Sequence, residues 1–182
     1  LRWRFAIALL FVVRLGGDFV FLEATERKLA ELRDRLASLD ARSKFAVLGN
    51  HDLWTRHGLI EDALQDAGVQ ILTNAAARLP PPHDDIAIVG IDDPWTGQPD
   101  ATMAFSSVRP DSTVVVLCHS PDGLLALKDR PWDLYLGGHT HGGHIATPWG
   151  APVAAHGQLS RRYSSGFSSV DGGTVFVSRG IG

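Results

Sequence analysis

The sequence predicts an α/β layered domain, and three observations carry that prediction. Short apolar runs alternate with helical patterns from end to end, the order of strands packed against helices. Of the 182 residues, 45% are hydrophobic and 20% charged, which supplies a core and excludes a disordered or fibrous chain. The 182-residue length is that of one domain or a large piece of one, and no linker, repeat or low-complexity stretch divides it. A single domain over residues 1–182 is expected.

The elements follow in order. Residues 9–15 read as a strand ending in Gly16-Gly17. Residues 23–39 read as an amphipathic helix with Leu29, Leu32, Leu36 and Leu39 on one stripe. A short strand over 45–48 is stopped by Gly49, and a helix over 58–67 turns Leu59, Ile60, Ala63 and Leu64 inward before Gly68 closes it. Strands are expected at 69–72 and 86–91, parted by Pro80-Pro81-Pro82, which no helix or central strand tolerates. The β-branched run 113–117 reads as a strand buried on both faces. A helix over 121–128 opens on Pro121, and strands are expected at 133–136 and 174–177. The Gly-, Pro- and Ser-rich stretch 145–173 reads as loops and short hairpins.

Charge and cysteine content narrow the function. Seventeen Lys+Arg against 20 Asp+Glu give a net charge of −3, with no basic excess for wrapping nucleic acid. The single cysteine excludes an intramolecular disulfide framework. Arg2 and Arg4 precede an apolar run over 5–13, which is too short to span a bilayer and lacks an Ala-x-Ala-like cleavage site. A buried strand feeding a glycine turn is the better reading.

The ends of the strands carry the chemistry. Gly17-Asp18, Gly49-Asn50-His51-Asp52, Cys118-His119 and Gly138-His139-Thr140-His141-Gly142-Gly143 each follow an expected strand. Ligand sites in open α/β sheets collect beyond the carboxyl ends of strands, and glycine there lets the backbone turn sharply and approach a ligand closely. Taken singly, a Gly-Asp is usually a turn and a Cys-His usually packing; repeated at four tips, they converge on one point. Carboxylate, carboxamide and imidazole together suit a divalent transition metal, and the lack of thiolates disfavours structural zinc. Asp18 has two oxygens, enough to bridge two ions. His139 and His141 share a face if the segment is extended and splay toward two ions if it turns. Cys118 as a nucleophile beside His119 is disfavoured, because adjacent strand residues point to opposite faces.

These blocks, in this order, resemble the calcineurin-like metallophosphoesterases. The later run His119-Ser120-Pro121-Asp122, then 138–143, then Val177-Ser178-Arg179-Gly180-Ile181-Gly182, is similar to the bacterial branch of phosphodiesterases and a UDP-diacylglucosamine pyrophosphatase. The resemblance implies a four-layer α-β-β-α sandwich with two mixed sheets. It implies two divalent ions (Mn, Fe or Zn), Asp18 bridging them. Asn50, His119 and His139 would complete one shell, and His141 would belong to the other. The implied reaction is hydrolysis of a phosphate ester by metal-activated hydroxide, with His51 protonating the leaving group. The alternative is a degenerate member that binds metal or a phosphorylated ligand without turnover.

Departures from the family pattern set further expectations. The family's first block is Asp-x-His, and nothing before Asp18 is Asp or His, so either the chain is cut upstream or the second metal binds weakly. The chain also stops where relatives add a closing strand. Phe21 stands where many relatives carry an Asp that orients the histidine acid, leaving Asp52 or another group to do it. The implied partner is a small phosphorylated substrate; lipid or nucleotide head group, monoester or diester, stay open. A stable nucleic-acid partner is not expected, and the location is cytoplasmic or peripheral to a membrane. Asp92-Asp93-Pro94-Trp95 reads as a solvent turn before a cleft wall, His144 as a rim residue, and Arg161, Arg162 and Arg179 as phosphate contacts or solvated cations. His57, His83 and His156 receive no role.

Overall fold

The fold comes from a computed structural model that describes residues 17–20, 23–143, 145–146, 152–154, 157–170 and 172–180. The strand expected over 9–15, with His144 and His156, lies outside the described residues.

Two sheets and their helices form around three apolar clusters. Strands β1 (Lys44–Ala46) and β2 (Val69–Ile71) pair in parallel. A six-stranded sheet has the order β3-β4-β5-β6-β10-β9, with β3 Ala75–Arg78, β4 Ile86–Gly90, β5 Thr113–Leu117, β6 Leu134–Gly137, β9 Gly166–Val170 and β10 Gly173–Val177. Its four central strands run parallel, and β3 and β9 pair antiparallel at the edges. A two-stranded hairpin, β7 (Ile145–Ala146) with β8 (Pro152–Ala154), stands apart.

Strand alternation sorts the side chains into layers. Phe45 and Val47 meet Ile86, Ile88, Val115, Leu117, Leu134 and Leu136 in one cluster, so the two sheets pack face to face. The even residues Val114, Val116 and Cys118, with Tyr135, Val175 and Val177, face the other way onto Ala101, Ala104 and Leu127. Those three belong to α4 (Ala101–Ala104) and a 3₁₀ helix (Pro121–Leu127). On the far side, Ala46, Leu48 and Val69 pack on Leu36, Ile60 and Leu64. These come from α1 (Glu26–Ala37) and α3 (His57–Asp66). The described layers are thus helix, sheet, sheet, helix. Each fully buried Val, Ile or Leu contributes about 1.5–3 kcal/mol, which fixes the register of the central strands.

Several bounds differ from expectation. Helix α1 starts three residues late, because Thr25 caps it: Thr25 is extended and its Oγ1 accepts the Lys28 N–H at 3.4 Å. The helix expected over 121–128 is 3₁₀ rather than α. A Cβ on its Gly123 would clash with Cys118 Sγ and stand 2.6 Å from Tyr135 Oη, so this segment is pressed directly against the sheet. The stretch 145–173, expected as loops and hairpins, also contains the full edge strand β9. Strand β3 and helix α4 lie in segments where no element is expected from the sequence.

Candidate metal centre

The site lies at the carboxyl edge of the parallel strands, between the two sheets. Odd positions of β5 face the intersheet cluster, so His119, next in that series after Val115 and Leu117, enters the gap while Cys118 turns away. His119 is 2% exposed. Its Nε2 lies 3.1 Å from each of three atoms: Asp18 Oδ2, Asn50 Oδ1 and His139 Nδ1. Ligand atoms of Asp18, His119 and His139 all fall within 4.8 Å of one another.

Asn50, His119 and His139 follow the strands β1, β5 and β6, and Asp18 joins them from the segment at Gly17. Asp18 follows Gly17, and α2 (Asn50–Leu53) begins straight after β1 with Gly49 as its N-cap. These two tips touch: a Cβ on Gly17 would stand 2.5 Å from Gly49 N and 2.7 Å from His119 Nδ1, and one on Gly49 would strike Asp18 Oδ1. Only glycine allows that approach. Asp52, fully buried, ties the tips together, its Oδ1 accepting Val20 N–H at 3.1 Å and its Oδ2 accepting Gly49 N–H at 3.0 Å. The His51 N–H in turn donates to Asp18 Oδ1 at 3.0 Å. His139 is held by its neighbour Thr140, whose buried hydroxyl donates to the Ser164 carbonyl at 2.6 Å.

Backbone conformation marks the same residues. Asp18 (φ 55), His139 (φ 67) and His141 (φ 51) are three of the five non-glycine residues with positive φ among those described. Left-handed backbone at such positions stores strain, and strain of this kind clusters at functional sites.

The donor set fits a divalent metal. One imidazole nitrogen offers a single N–H or a single lone pair, so His119 Nε2 cannot hydrogen-bond to an oxygen, an amide and a second imidazole at once. Metal bonds of about 2.0–2.2 Å would put adjacent donors of a six-coordinate ion about 2.9–3.1 Å apart. An ion shared by Asp18, Asn50, His119 and His139 accounts for the spacing; mutual hydrogen bonding does not.

The local electrostatics agree with the burial. At Asp18, burial works to raise the carboxyl, but the hydrogen bond and charge of His119 with the His51 N–H outweigh it, and the net shift is downward. Burial raises Asp52 despite its two N–H donors. Burial likewise raises Asp93. The Cys118 thiol, wholly buried, is pushed up to about 12, which leaves no thiolate for the nucleophile reading.

The remaining candidates divide clearly. His141 is exposed and stands outside the three-residue cluster, with its Nδ1 3.8 Å from where a Cβ of Gly180 would sit. The His51 ring is half-buried, edge-on to exposed Trp54 with centroids 4.9 Å apart. Both carboxylate oxygens of Asp52 go to backbone N–H groups. Arg161 and Arg162 are exposed, Arg162 lying 5.3 Å over the Tyr163 ring.

The turn after β4 corrects the solvent-turn reading. Asp93 is fully buried, and its Oδ2 accepts the N–H groups of Trp95 and Thr96 at 3.0 and 2.7 Å. Trp95 is 42% exposed and its indole leans on His139 with centroids 5.2 Å apart. A fifth strand tip therefore borders the centre. Its position after a strand was the available signal; its contact with His139 depends on the pairing of β4, β5 and β6.

Comparison with known proteins agrees with this geometry. The chain is 33% identical over 176 residues to phosphodiesterase YaeI of Escherichia coli, covering 94% of this chain and 63% of that protein. It is 31% identical over 154 residues to the metallophosphoesterase YkoQ of Bacillus subtilis, covering 82% and 57%. It is 34% identical over 109 residues to the UDP-2,3-diacylglucosamine pyrophosphatase LpxG of Chlamydia trachomatis, covering 60% and 32%. The chain thus spans less than two thirds of the length of these relatives. Among solved structures, the sulfate thiohydrolase SoxB of Thermus thermophilus superposes with a TM-score of 0.52 at 19% identity, over 85% of this chain and 30% of that one, a likeness of fold. No protein-family model matches the sequence. These relatives support the calcineurin-like metallophosphoesterase family for this chain.

Proposed function

We propose that the chain hydrolyses phosphate esters with the help of divalent metal, and that Asp18, Asn50, His119 and His139 hold one ion. The observation that carries this reading is the convergence of three donors from separate segments of the chain on His119 Nε2. When bound, such ions supply hydroxide at neutral pH and offset the charge that grows on the phosphoryl oxygens. Asp18 keeps its carboxylate ionised, as a ligand must. Asn50 presents a neutral oxygen, so the site does not accumulate negative charge against an anionic substrate. His51 is the general acid that protonates the departing oxygen. Asp52 acts as a positioning residue through Gly49 and Val20, holding Asn50 and Asp18 in register. His141, with Asp18, serves a second ion of weaker affinity. The substrate is a small phosphorylated molecule; the lipid-linked pyrophosphate in the name of LpxG is one class to assay.

The test uses bis(p-nitrophenyl) phosphate with Mn²⁺, Fe²⁺ or Zn²⁺. His139→Ala is expected to abolish both metal binding and metal-dependent turnover. His51→Ala is expected to keep the metal and lose about 10²–10⁴-fold in rate, most for poor leaving groups. Metal loss in the His51 variant would refute this division of roles. A second reading, a binding module without turnover, draws on the exposure of His141 and its place outside the cluster. One ion per chain with no rate above background would select it.

A further inference from the structure

We propose that Arg179 is a substrate-binding residue that engages an anionic phosphoryl oxygen beside the metal centre. This rests on the phosphoesterase reading above and adds to it a cation that no metal-ligand pattern contains.

Position is the first argument. Strand β10 is the parallel neighbour of β6, with Val177 opposite Gly137, and the Ser178 N–H donates to the Gly137 carbonyl at 2.8 Å. Two residues past that register, β6 carries His139 and β10 carries Arg179. The tips of β1, β4, β5 and β6 each give a group to the centre, and Arg179 is the group at the tip of β10.

Contact is the second. A Cβ on Gly142 would stand 3.2 Å from Cγ, Cδ and Nε of Arg179, so the arginine stem lies along the backbone of loop 138–143. Gly142 has φ +77 and is needed twice over, for its left-handed backbone and for the room that the arginine occupies. The same approach brings Gly180 next to His141.

Charge is the third. Arg179 is exposed, and among the described residues no carboxylate forms an ion pair with it. The arginines that do form ion pairs there, Arg27, Arg33, Arg35 and Arg109, each stand beside a carboxylate. A planar guanidinium presents two parallel N–H donors that match two oxygens of a phosphate, and such charge-assisted bonds are about twice as strong as neutral ones. An unpaired guanidinium laid along a metal-ligand loop is suited to an anion that arrives with the substrate. The stem's packing on Gly142 lowers the entropy lost when it binds.

The experiment titrates inorganic phosphate into the Mn²⁺-loaded chain by calorimetry, for wild type, Arg179→Gln and Arg179→Lys, with Mn²⁺ affinity measured separately. Arg179→Gln is expected to weaken phosphate binding about 10–100-fold and to leave the Mn²⁺ Kd unchanged, with Arg179→Lys in between. On bis(p-nitrophenyl) phosphate the loss is expected mainly in KM. An unchanged phosphate Kd in Arg179→Gln overturns the proposal. So does a matched loss of Mn²⁺ and phosphate affinity, which would mark a structural role for the arginine. A wild-type chain that binds phosphate through Arg179 yet hydrolyses nothing sinks the hydrolase reading and leaves this one standing.

Discussion

Two loops border the metal centre and are built on opposite principles. Loop 92–100 pins its backbone with its own side chains: Asp92 accepts from the N–H groups of Asp93 and Gln98, Asp93 Oδ2 from Trp95 and Thr96, and Asp100 from Met103. Asn74 Oδ1 then accepts the N–H groups of both Asp92 and Asp100. Loop 138–143 carries positive φ at His139, His141, Gly142 and Gly143, and Thr140 anchors it to the Ser164 carbonyl. The first loop's backbone is held by side chains of its own. The second holds left-handed backbone at His139, one of the proposed ligands. On the proposed metal site, an ion would reward the second loop and not the first.

The largest effect that could break this contrast is in hydrogen exchange. Addition of Mn²⁺ is expected to stabilise the folded chain by about 2.7 kcal/mol at a concentration 100 times Kd. Amide protection should rise in 138–143 while 92–100 changes little; equal protection of both loops would erase the distinction. The anchor gives the next effect. Thr140→Val leaves the Ser164 carbonyl without its donor and is expected to destabilise by about 1–3 kcal/mol. A chain of this size then melts roughly 2–9 °C lower.

A smaller, pH-dependent effect probes the first loop. Burial raises the folded-state carboxyl of Asp93 above its ordinary value of 3.8. A raised acid contributes stability below the unfolded value, and that contribution is lost as pH rises through the folded value. In the metal-free chain, Asp93→Asn removes the charged form that burial penalises. The difference in Tm between Asp93→Asn and wild type should be more favourable to the variant at pH 7 than at pH 4. A pH-independent difference would show that Asp93 is not penalised in the fold. Smallest of all, Cys118→Ala is expected to leave metal affinity unchanged, since the thiol faces the helix layer rather than the site.

Much of this was legible in the sequence where one interaction dominates locally. The run 113–117 was bounded correctly because β-branched residues buried on two faces leave no competing structure. The proximity of Asp18, Asn50, His119 and His139 was legible because each sits beside glycine or a turn where an expected strand ends. Strand β3 could not, since Ala75–Arg78 has little intrinsic β preference and is a strand only because β4 pairs with it. Asp93 reads as part of a surface turn because its burial is set by tertiary packing rather than by its neighbours in sequence, and the contact of Trp95 with His139, distant in the chain, has no local signal either. The 3₁₀ helix at Pro121 likewise depends on Tyr135 and Cys118 beneath Gly123.

Asp52 has a consequence for the order in which the molecule acquires its chemistry. Its carboxylate grips backbone at Val20, 32 residues away, and at Gly49, three residues away, and both segments carry prospective ligands. Neither piece alone presents a chelating pair at the right separation. On the proposed site, ion capture would report a completed tertiary assembly, and a nascent or partly unravelled polypeptide would lack the Asp18–Asn50 pair with which to sequester metal.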